Sequence, residues 1–532
     1  MREVDVLVVG GGPVGLTASI LLSRLGVSSL LVERHPGTSI HPKARGINAR
    51  TMEIFRQCGV EDAVRAAGLP PGRAKFIVWA RSLAGEELER RTPGRAREDA
   101  IRLSPVGNCL CAQDDLEPVL RRHAESLAPD GLRFDTELTR FEQDATGVTA
   151  TLRERAGESR VRARYLIAAD GARSHVRETL GIALHGTPAL YRSINILLNA
   201  DLTPWVAQRP AALYFIEQPG LKATFLTING VNRWGFLINN LPPDGDGDEC
   251  TPARCAAAVR QAAGVPDLDV EILGAVPWVA AAQVAERYRR DRVFLAGDAA
   301  HHMPPTGGFG LNTGVQDVHN LAWKLAAVLH ARAGPALLDS YEDERLPYGR
   351  AITEQSLMNA RSLGRGAPGE VPALARGRPE FLNELGMIFG ATYESSAVVP
   401  DGTPPPKVDN PITEYRPSAR PGSRAPHAWL ERGGARCSTL DLFGRGFVLL
   451  SGGGAAWQEA ARASDVPLEA LTIGAGGDLG DPDGRWREVW EIEADGAVLV
   501  RPDGQVAWRS RGAVPDPAAE LRRVLRRVLS LP

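Results

Sequence analysis

Cysteine is scarce in this sequence. There are six in 532 residues (Cys58, Cys109, Cys111, Cys250, Cys255 and Cys437), with no CxxC pair and no His/Cys cluster at zinc spacing. That argues against a disulfide scaffold and a structural zinc site, and suits free thiols in a reducing cytosol. Charge of one sign is also missing: 62 basic and 64 acidic residues leave a net charge of -2. Without a positive excess to grip phosphate, nucleic acid is not expected as a partner. No run of about 18 apolar residues exists, and Met1 leads directly into Arg2-Glu3-Val4-Asp5. A cytoplasmic protein with no membrane partner is the expectation. Lysine supplies only five of the basic residues (Lys43, Lys75, Lys222, Lys324 and Lys407). Hydrophobic residues make up 43% and charged residues 24%, a globular balance at a length that calls for two or three domains.

What is present begins at the N-terminus. Residues 4–9 (VDVLVV) read as a buried strand, followed by Gly10-Gly11-Gly12. Pro13 to Leu25 has helical periodicity and stops at Gly26, and residues 29–33 (SLLVE) read as a second strand. Parallel strands joined by a helix imply a doubly wound sheet. Within this unit Gly10, Gly12 and Gly15 satisfy GxGxxG, with Glu33 closing the second strand. Gly10 permits the tight turn, Gly12 lets a pyrophosphate approach the positive end of the helix, and Gly15 lets that helix lie close to the sheet. Glu33 can accept hydrogen bonds from an adenosine ribose. The motif leaves FAD and NAD both open.

Further along, residues 115–128 read as a helix capped by Asp114 or Asp115, and 133–170 as a strand meander returning to the first sheet. Residues 190–240 carry strands at a spacing of about ten residues, which suits an antiparallel sheet. A helix is expected from near Asn312, with its amphipathic body over 315–332. Eight prolines fall within 400–426, which excludes a helix or central strand there and predicts a linker. Beyond it come strands at 446–452, 469–474 and 498–510 and an amphipathic helix at 517–531.

A second constellation favours flavin. Strand RVFLAGD ends on Gly297-Asp298, and a glycine-rich turn, Gly307-Gly308-Phe309-Gly310, precedes the helix. A carboxylate at a strand's C-terminal edge can hold a ribityl hydroxyl. A helix N-terminus aimed at the flavin pyrimidine favours negative charge on the reduced ring. A third element is Asp170-Gly171 with Arg173-Ser174 in YLIAADGARSHVRETLG.

With GxGxxG, the DG segment and GDAAHHMPPTGGFGLNTG together, residues 1 to about 370 resemble the single-component FAD-dependent aromatic hydroxylases. The segments RPSARPGSRAPHAWL and STLDLFGRGFVLLS are similar to the subgroup acting on polycyclic natural products, which includes the anthracycline and tetracenomycin hydroxylases and the flavoenzyme of rebeccamycin biosynthesis. The resemblance implies an α/β fold. A Rossmann-like FAD-binding domain of glutathione-reductase type would occupy 1–74, 98–174 and 280–375, and an antiparallel substrate-binding sheet 75–97 and 175–279. Residues 376–426 would be a linker and 427–532 a thioredoxin-like domain lacking CxxC. It implies cofactor contacts from Pro13, Val14, Arg34, Arg45, Gln113, Asp170, Asp298, Pro305, Gly308, Gly310, Leu311 and Asn312, besides the glycine motif and Glu33. Arg45 would lie near the flavin, Gln113 at its ribityl chain, and Gly308 to Asn312 around the isoalloxazine.

The activity implied is monooxygenation of a polycyclic aromatic through a flavin C4a-hydroperoxide, with dioxygen and with NADPH as a transient co-substrate, since no second GxGxxG exists. Baeyer–Villiger insertion, a halogenase, a reductase and a non-catalytic FAD sensor remain alternatives. No general base is assigned from sequence, and a monomer and a homodimer are both compatible. Tyr214, Phe225, Trp234 and Phe236 lie on the expected substrate sheet and are candidates to face a flat substrate. His301 and His302 are read as packing residues.

Overall fold

The computed structural model describes residues 1–92, 102–241, 250–364, 378, 380–453 and 455–532. The fold is mixed α/β. Strand β1 (Arg2–Val9) pairs in parallel with Ser29–Val32 on one side and with Gly157–Ala168 on the other. Val293–Leu295 extends this parallel sheet beyond Gly157–Ala168, and Leu132–Arg133 extends it beyond Ser29–Val32. Val6, Leu7 and Val8 have no exposure at all, as a parallel strand covered on both faces requires. Glu137–Gln143 and Val148–Glu154 form the antiparallel meander that feeds into Gly157–Ala168. Helix α1 (Pro13–Arg24) connects the first two strands and ends before Gly26, whose φ is +72°.

The second sheet has eight strands. Its order runs His301–His302, Glu271–Ala285, Leu184–Asn199, Arg233–Leu241, Leu221–Thr227, Ala211–Gln218, Phe76–Ala80 and Glu87–Arg91. All neighbours are antiparallel except Ala211–Gln218 against Phe76–Ala80. Strand Glu271–Ala285 continues past residue 279, so the sheet reaches further along the chain than the expected boundary. One face is covered by helix Pro252–Ala263, through Cys255, Val259, Ala262 and Ala263. The other face looks toward the first sheet.

The third sheet orders Leu468–Thr472, Phe447–Ser451, Ala497–Val500 and Val506–Ser510, the first pair parallel and the others antiparallel. The last helix, Pro517–Val528, buries Leu521, Val524, Leu525 and Val528 against its own sheet and against Trp323 and Leu337 of the N-terminal body. Between the two units lies a buried charge cluster. The Glu344 carboxylate accepts from Arg501 Nη1 and Nη2 at 2.6 and 2.9 Å, Lys324 Nζ at 2.8 Å, Asn320 Nδ2 at 2.6 Å and Ser395 Oγ at 2.6 Å.

Two local expectations change. The helix expected at 115–128 spans Gln113–Leu127, with Ala112 at its N-cap. Asp114 and Asp115 sit in its first turn because Arg233, on the second sheet, draws both carboxylates to itself. The helix expected from Asn312 starts at Phe309 and runs to Leu329, because Gly308 already serves as its N-cap. Among the described residues no helix is long and apolar enough to cross a membrane.

Candidate functional site

The first and second sheets enclose a cavity of about 1280 Å³ between them. Such a volume exceeds what one drug-sized ligand fills, so a dinucleotide and a second molecule fit side by side. Two helices point their N-termini into it, α1 from Gly12 and Phe309–Leu329 from Gly308. Neither has a side-chain cap, so their first-turn amides remain available for an anion.

The glycine turn has a steric cause. Gly10 has φ +110°, and a Cβ there would lie 2.2 Å from the Ala169 carbonyl oxygen. At Gly15 it would lie 1.9 Å from the Gly10 carbonyl oxygen, so Gly15 stands behind the turn, outside the lining, and lets α1 approach. At Gly12 a Cβ would meet nothing within 4 Å: the helix end opens onto space. Gly10, Gly12, Pro13 and Val14 line the cavity there. The Glu33 carboxylate accepts from the Gly11 amide at 2.6 Å and the His35 amide at 2.9 Å, and Arg34 lies beside it on the wall.

Asp170 and Asp298 follow the adjacent strands Gly157–Ala168 and Val293–Leu295, Asp298 within the short 3-10 helix Gly297–Ala299 rather than at the strand's end, and both reach the cavity. Asp170 Oδ2 accepts from the Val176 amide at 3.1 Å, while its Oδ1 is buried without a partner; burial raises its pKa above the usual carboxylate range. Asp298 is exposed into the cavity. The wall continues through Pro305, Gly308, Gly310 and Leu311. Asn312 anchors this turn by donating to the Gly46 and Gly308 carbonyls and accepting from the Asn48 amide. His301 behind it is fully buried, 2.8 Å from Asp317 Oδ2.

Arg45 and Gln113 also line the cavity. Arg45 donates to the Thr227 and Ala212 carbonyls at 3.0 and 2.6 Å, tying the first unit to the second sheet. Burial pulls its pKa down to about 10, which leaves it charged at neutral pH. Gln113 Nε2 donates to Glu117 at 2.7 Å. Open space at Gly12, two free helix N-termini, the orphaned oxygen of Asp170 and the exposed Asp298 carboxylate together fit the FAD that the resemblance implies.

The four aromatic candidates on the second sheet need correction. Tyr214, Phe225, Trp234 and Phe236 are buried on the face covered by helix Pro252–Ala263, away from the cavity. The Tyr214 hydroxyl donates to the Arg209 carbonyl and Trp234 Nε1 to the Ala200 carbonyl. The Phe225 and Phe236 rings pack 4.6 Å apart. All four lie on that one face, and the opposite parity faces the site: Leu213, Phe215, Thr224, Leu226 and Leu237 line the cavity. Sequence reasoning also missed Phe381, Leu382, Glu384 and Leu385, which close the cavity from within the stretch read as a linker.

A sequence profile described as FAD binding domain matches residues 3–356, and one described as aromatic-ring hydroxylase, C-terminal, matches 418–532. The tetracenomycin A2 monooxygenase-dioxygenase of Streptomyces glaucescens is 42% identical, with 99% of this chain and 97% of that one covered. A flavin-dependent monooxygenase solved with FAD and substrate is 41% identical with a TM-score of 0.91, over 100% of this chain and 99% of that one. Aklavinone-11 hydroxylase, solved as a ternary complex with FAD and aklavinone, is 40% identical with a TM-score of 0.88 over the same shares. The chain belongs to the FAD-dependent aromatic-ring hydroxylases and is a flavoprotein monooxygenase.

Proposed function

We propose that the protein hydroxylates a polycyclic aromatic polyketide, using FAD, dioxygen and NADPH that binds only transiently. One observation carries this reading. A single cavity runs from the glycine turn, past the Met303–Gly308 loop, to an apolar wall made by Leu213, Phe215, Leu226 and Leu237. A flat apolar substrate fits between that wall and the loop, with the polar end left for the dinucleotide. The names of the relatives support the substrate class. Bound FAD, reduced by NADPH, supplies the activation of dioxygen.

The chain's residues bind, orient and exclude water. The amides at Gly12 would hold the pyrophosphate, Glu33 the ribose, and Asp298 with Gln113 the ribityl chain. Gly308 to Asn312 would offer a helix N-terminus to the flavin ring, and Arg45 would add a partly buried positive charge. The apolar wall keeps water from the reacting centre. In this reading the first unit is a Rossmann-like FAD domain of glutathione-reductase type and residues 427–532 form a thioredoxin-like unit that serves assembly. Cys437 is the sole cysteine of that unit, so Cys437→Ser keeps the oxygenation rate within about twofold of the parent; a larger loss in a folded, yellow variant contradicts a purely structural role.

Asp298→Ala weakens FAD binding by roughly ten- to a hundredfold, the cost of one charge-assisted hydrogen bond of about 1.5–3 kcal/mol. Titration of the apoprotein with FAD reads this directly, and unchanged affinity removes Asp298 from the site. The activity is tested by following NADPH oxidation with and without a panel of aromatic polyketides and weighing the products. Substrate-stimulated oxidation with gain of one oxygen atom is expected; a ring-expanded lactone or no product contradicts the reading.

A further inference from the structure

The geometry points to Glu384 as the group that accepts a hydrogen bond, and then the proton, from a phenolic hydroxyl of the substrate. This rests on the hydroxylase reading above. Four other carboxylates line the cavity: Glu33, Asp170 and Asp298 follow strands of the first sheet, and Glu117 lies on helix Gln113–Leu127, where it accepts from the Ser39 amide and Gln113. Glu384 stands apart from them, among Leu363, Phe381, Leu382 and Leu385 on the apolar side.

Its carboxyl is built into place. Glu384 is only 6% exposed, and its Oε1 accepts from Asn359 Nδ2 at 2.9 Å. Asn359 is itself fully buried, and its Oδ1 accepts from Gln355 Nε2 at 3.2 Å. That second bond orients the amide so that Asn359 presents its NH2 to the carboxylate. Among the described residues no Lys or Arg lies within ion-pair distance of Glu384; the nearby Arg378 is paired with Glu380 at 3.3 Å. A buried carboxyl with no cation beside it among the described residues, held by a neutral chain and lining a cavity, is suited to receive a donor from a ligand.

The local backbone agrees. Leu382 has φ +71°, a left-handed conformation that a leucine adopts only when its surroundings enforce it. Its side chain packs with Ile77, Trp79 and Phe215 of the second sheet, and three residues on, Leu385 packs with Ala49 and Phe389. The segment is thus pinned on both sides of Glu384. Burial pushes the Glu384 pKa up to about 7; Asn359, the Leu382 amide and Arg378 act against that rise, and Glu380 adds to it. Asn359 and Gln355 of helix Ser340–Ser362, which hold the carboxyl, carry no charge. A proton acceptor in that range is matched to neutral pH.

The step balances simply. The phenolic O–H bond breaks, its electron pair stays on the phenolate oxygen, and the proton moves to the Glu384 carboxylate. The pair delocalises to the ortho and para carbons, making them nucleophilic toward the oxygen atom delivered at the flavin. When the ring rearomatises, the proton lost from its carbon passes to solvent and Glu384 returns its own proton to the oxygen, so the carboxylate ends as it began.

The test uses the FAD-loaded enzyme, hydroxylated tetracyclic quinones as substrates, and Glu384→Gln and Glu384→Asp variants. Both variants should stay yellow, which verifies folding. At pH 7 Glu384→Gln should lose about a hundredfold in kcat, the typical share of a general base, and Glu384→Asp should recover most of it. The parent's kcat/KM should rise through a pKa near 7, and Glu384→Gln should lack that limb. As the pH rises toward ionisation of the free phenol, the gap should narrow, since the substrate then sheds its own proton. A merely structural role would leave the deficit independent of pH. A yellow Glu384→Gln variant as fast as the parent, or slower by the same factor at every pH, overturns the inference. No product from the parent with any of these quinones would instead overturn the hydroxylase reading beneath it.

Discussion

Gly12→Asp should give a protein that folds, melts at or slightly above the parent, and carries no flavin. Gly12 is the N-cap of α1, with φ -76° and ψ -177° and no side-chain cap at present. Aspartate suits that extended conformation, and its carboxylate can accept from a first-turn amide. Relative to glycine this is worth a few tenths of a kcal/mol. No atom lies within 4 Å of the new Cβ, so the fold meets no clash. The same carboxylate, however, takes the amides that a pyrophosphate needs and sets a negative charge against it. A loss of about 3–4 kcal/mol, roughly two to three orders of magnitude in affinity, is expected. Flavin absorbance of the purified variant and its melting curve separate the two effects. A stable, yellow Gly12→Asp protein contradicts the placement of the pyrophosphate.

The largest stability effect should come from Glu344→Ala. This carboxylate is the hub between the N-terminal body and the last sheet, and it, Arg501 and Lys324 have no exposure. Removing it leaves buried Lys324 without a carboxylate and Arg501 with Asp503 alone, at a cost of about 3–5 kcal/mol. The C-terminal unit should loosen first, as an early transition in denaturant and as proteolysis after residue 400. The pH dependence has a definite sign. Burial alone would raise the Glu344 pKa, but Arg501 and Lys324 hold it well below the usual carboxylate range. Its contribution is therefore complete above the unfolded value of about 4.3 and declines as the pH falls below it. A Glu344→Ala protein that unfolds like the parent, with one transition at the same midpoint, contradicts this role.

The sequence made the glycine turn and the Gly297-Asp298 segment legible because each ties residue type to spacing for a steric or electrostatic reason. Gly10, Gly12 and Gly15 stand where a side chain would strike backbone or fill the helix mouth. The substrate face was not legible. Alternation indicates a face only when one side is polar, and here Leu213 and Phe215 line the cavity while Tyr214 packs under helix Pro252–Ala263. Both parities are apolar, so periodicity carries no direction. The closing segment at 381–389 was hidden for a different reason. It holds one five-residue helix, Leu385–Phe389, too short to show a period, and its place is set by contacts with Ala49 and Phe215, distant in sequence. The start of helix Phe309–Leu329 was displaced because Gly308-Phe309-Gly310 reads as a turn, although the left-handed Gly308 ends that turn one residue before the helix begins.

In the proposed reaction this cavity brings one atom of dioxygen onto an aromatic ring. The most direct measurement incubates the FAD-loaded enzyme with NADPH, isotopically labelled dioxygen and hydroxylated tetracyclic quinones, and weighs the product. The expected product carries one labelled hydroxyl oxygen in place of one ring hydrogen. A product whose added oxygen comes from water, or NADPH consumed with hydrogen peroxide as the sole oxygen-derived product for every quinone, would contradict it.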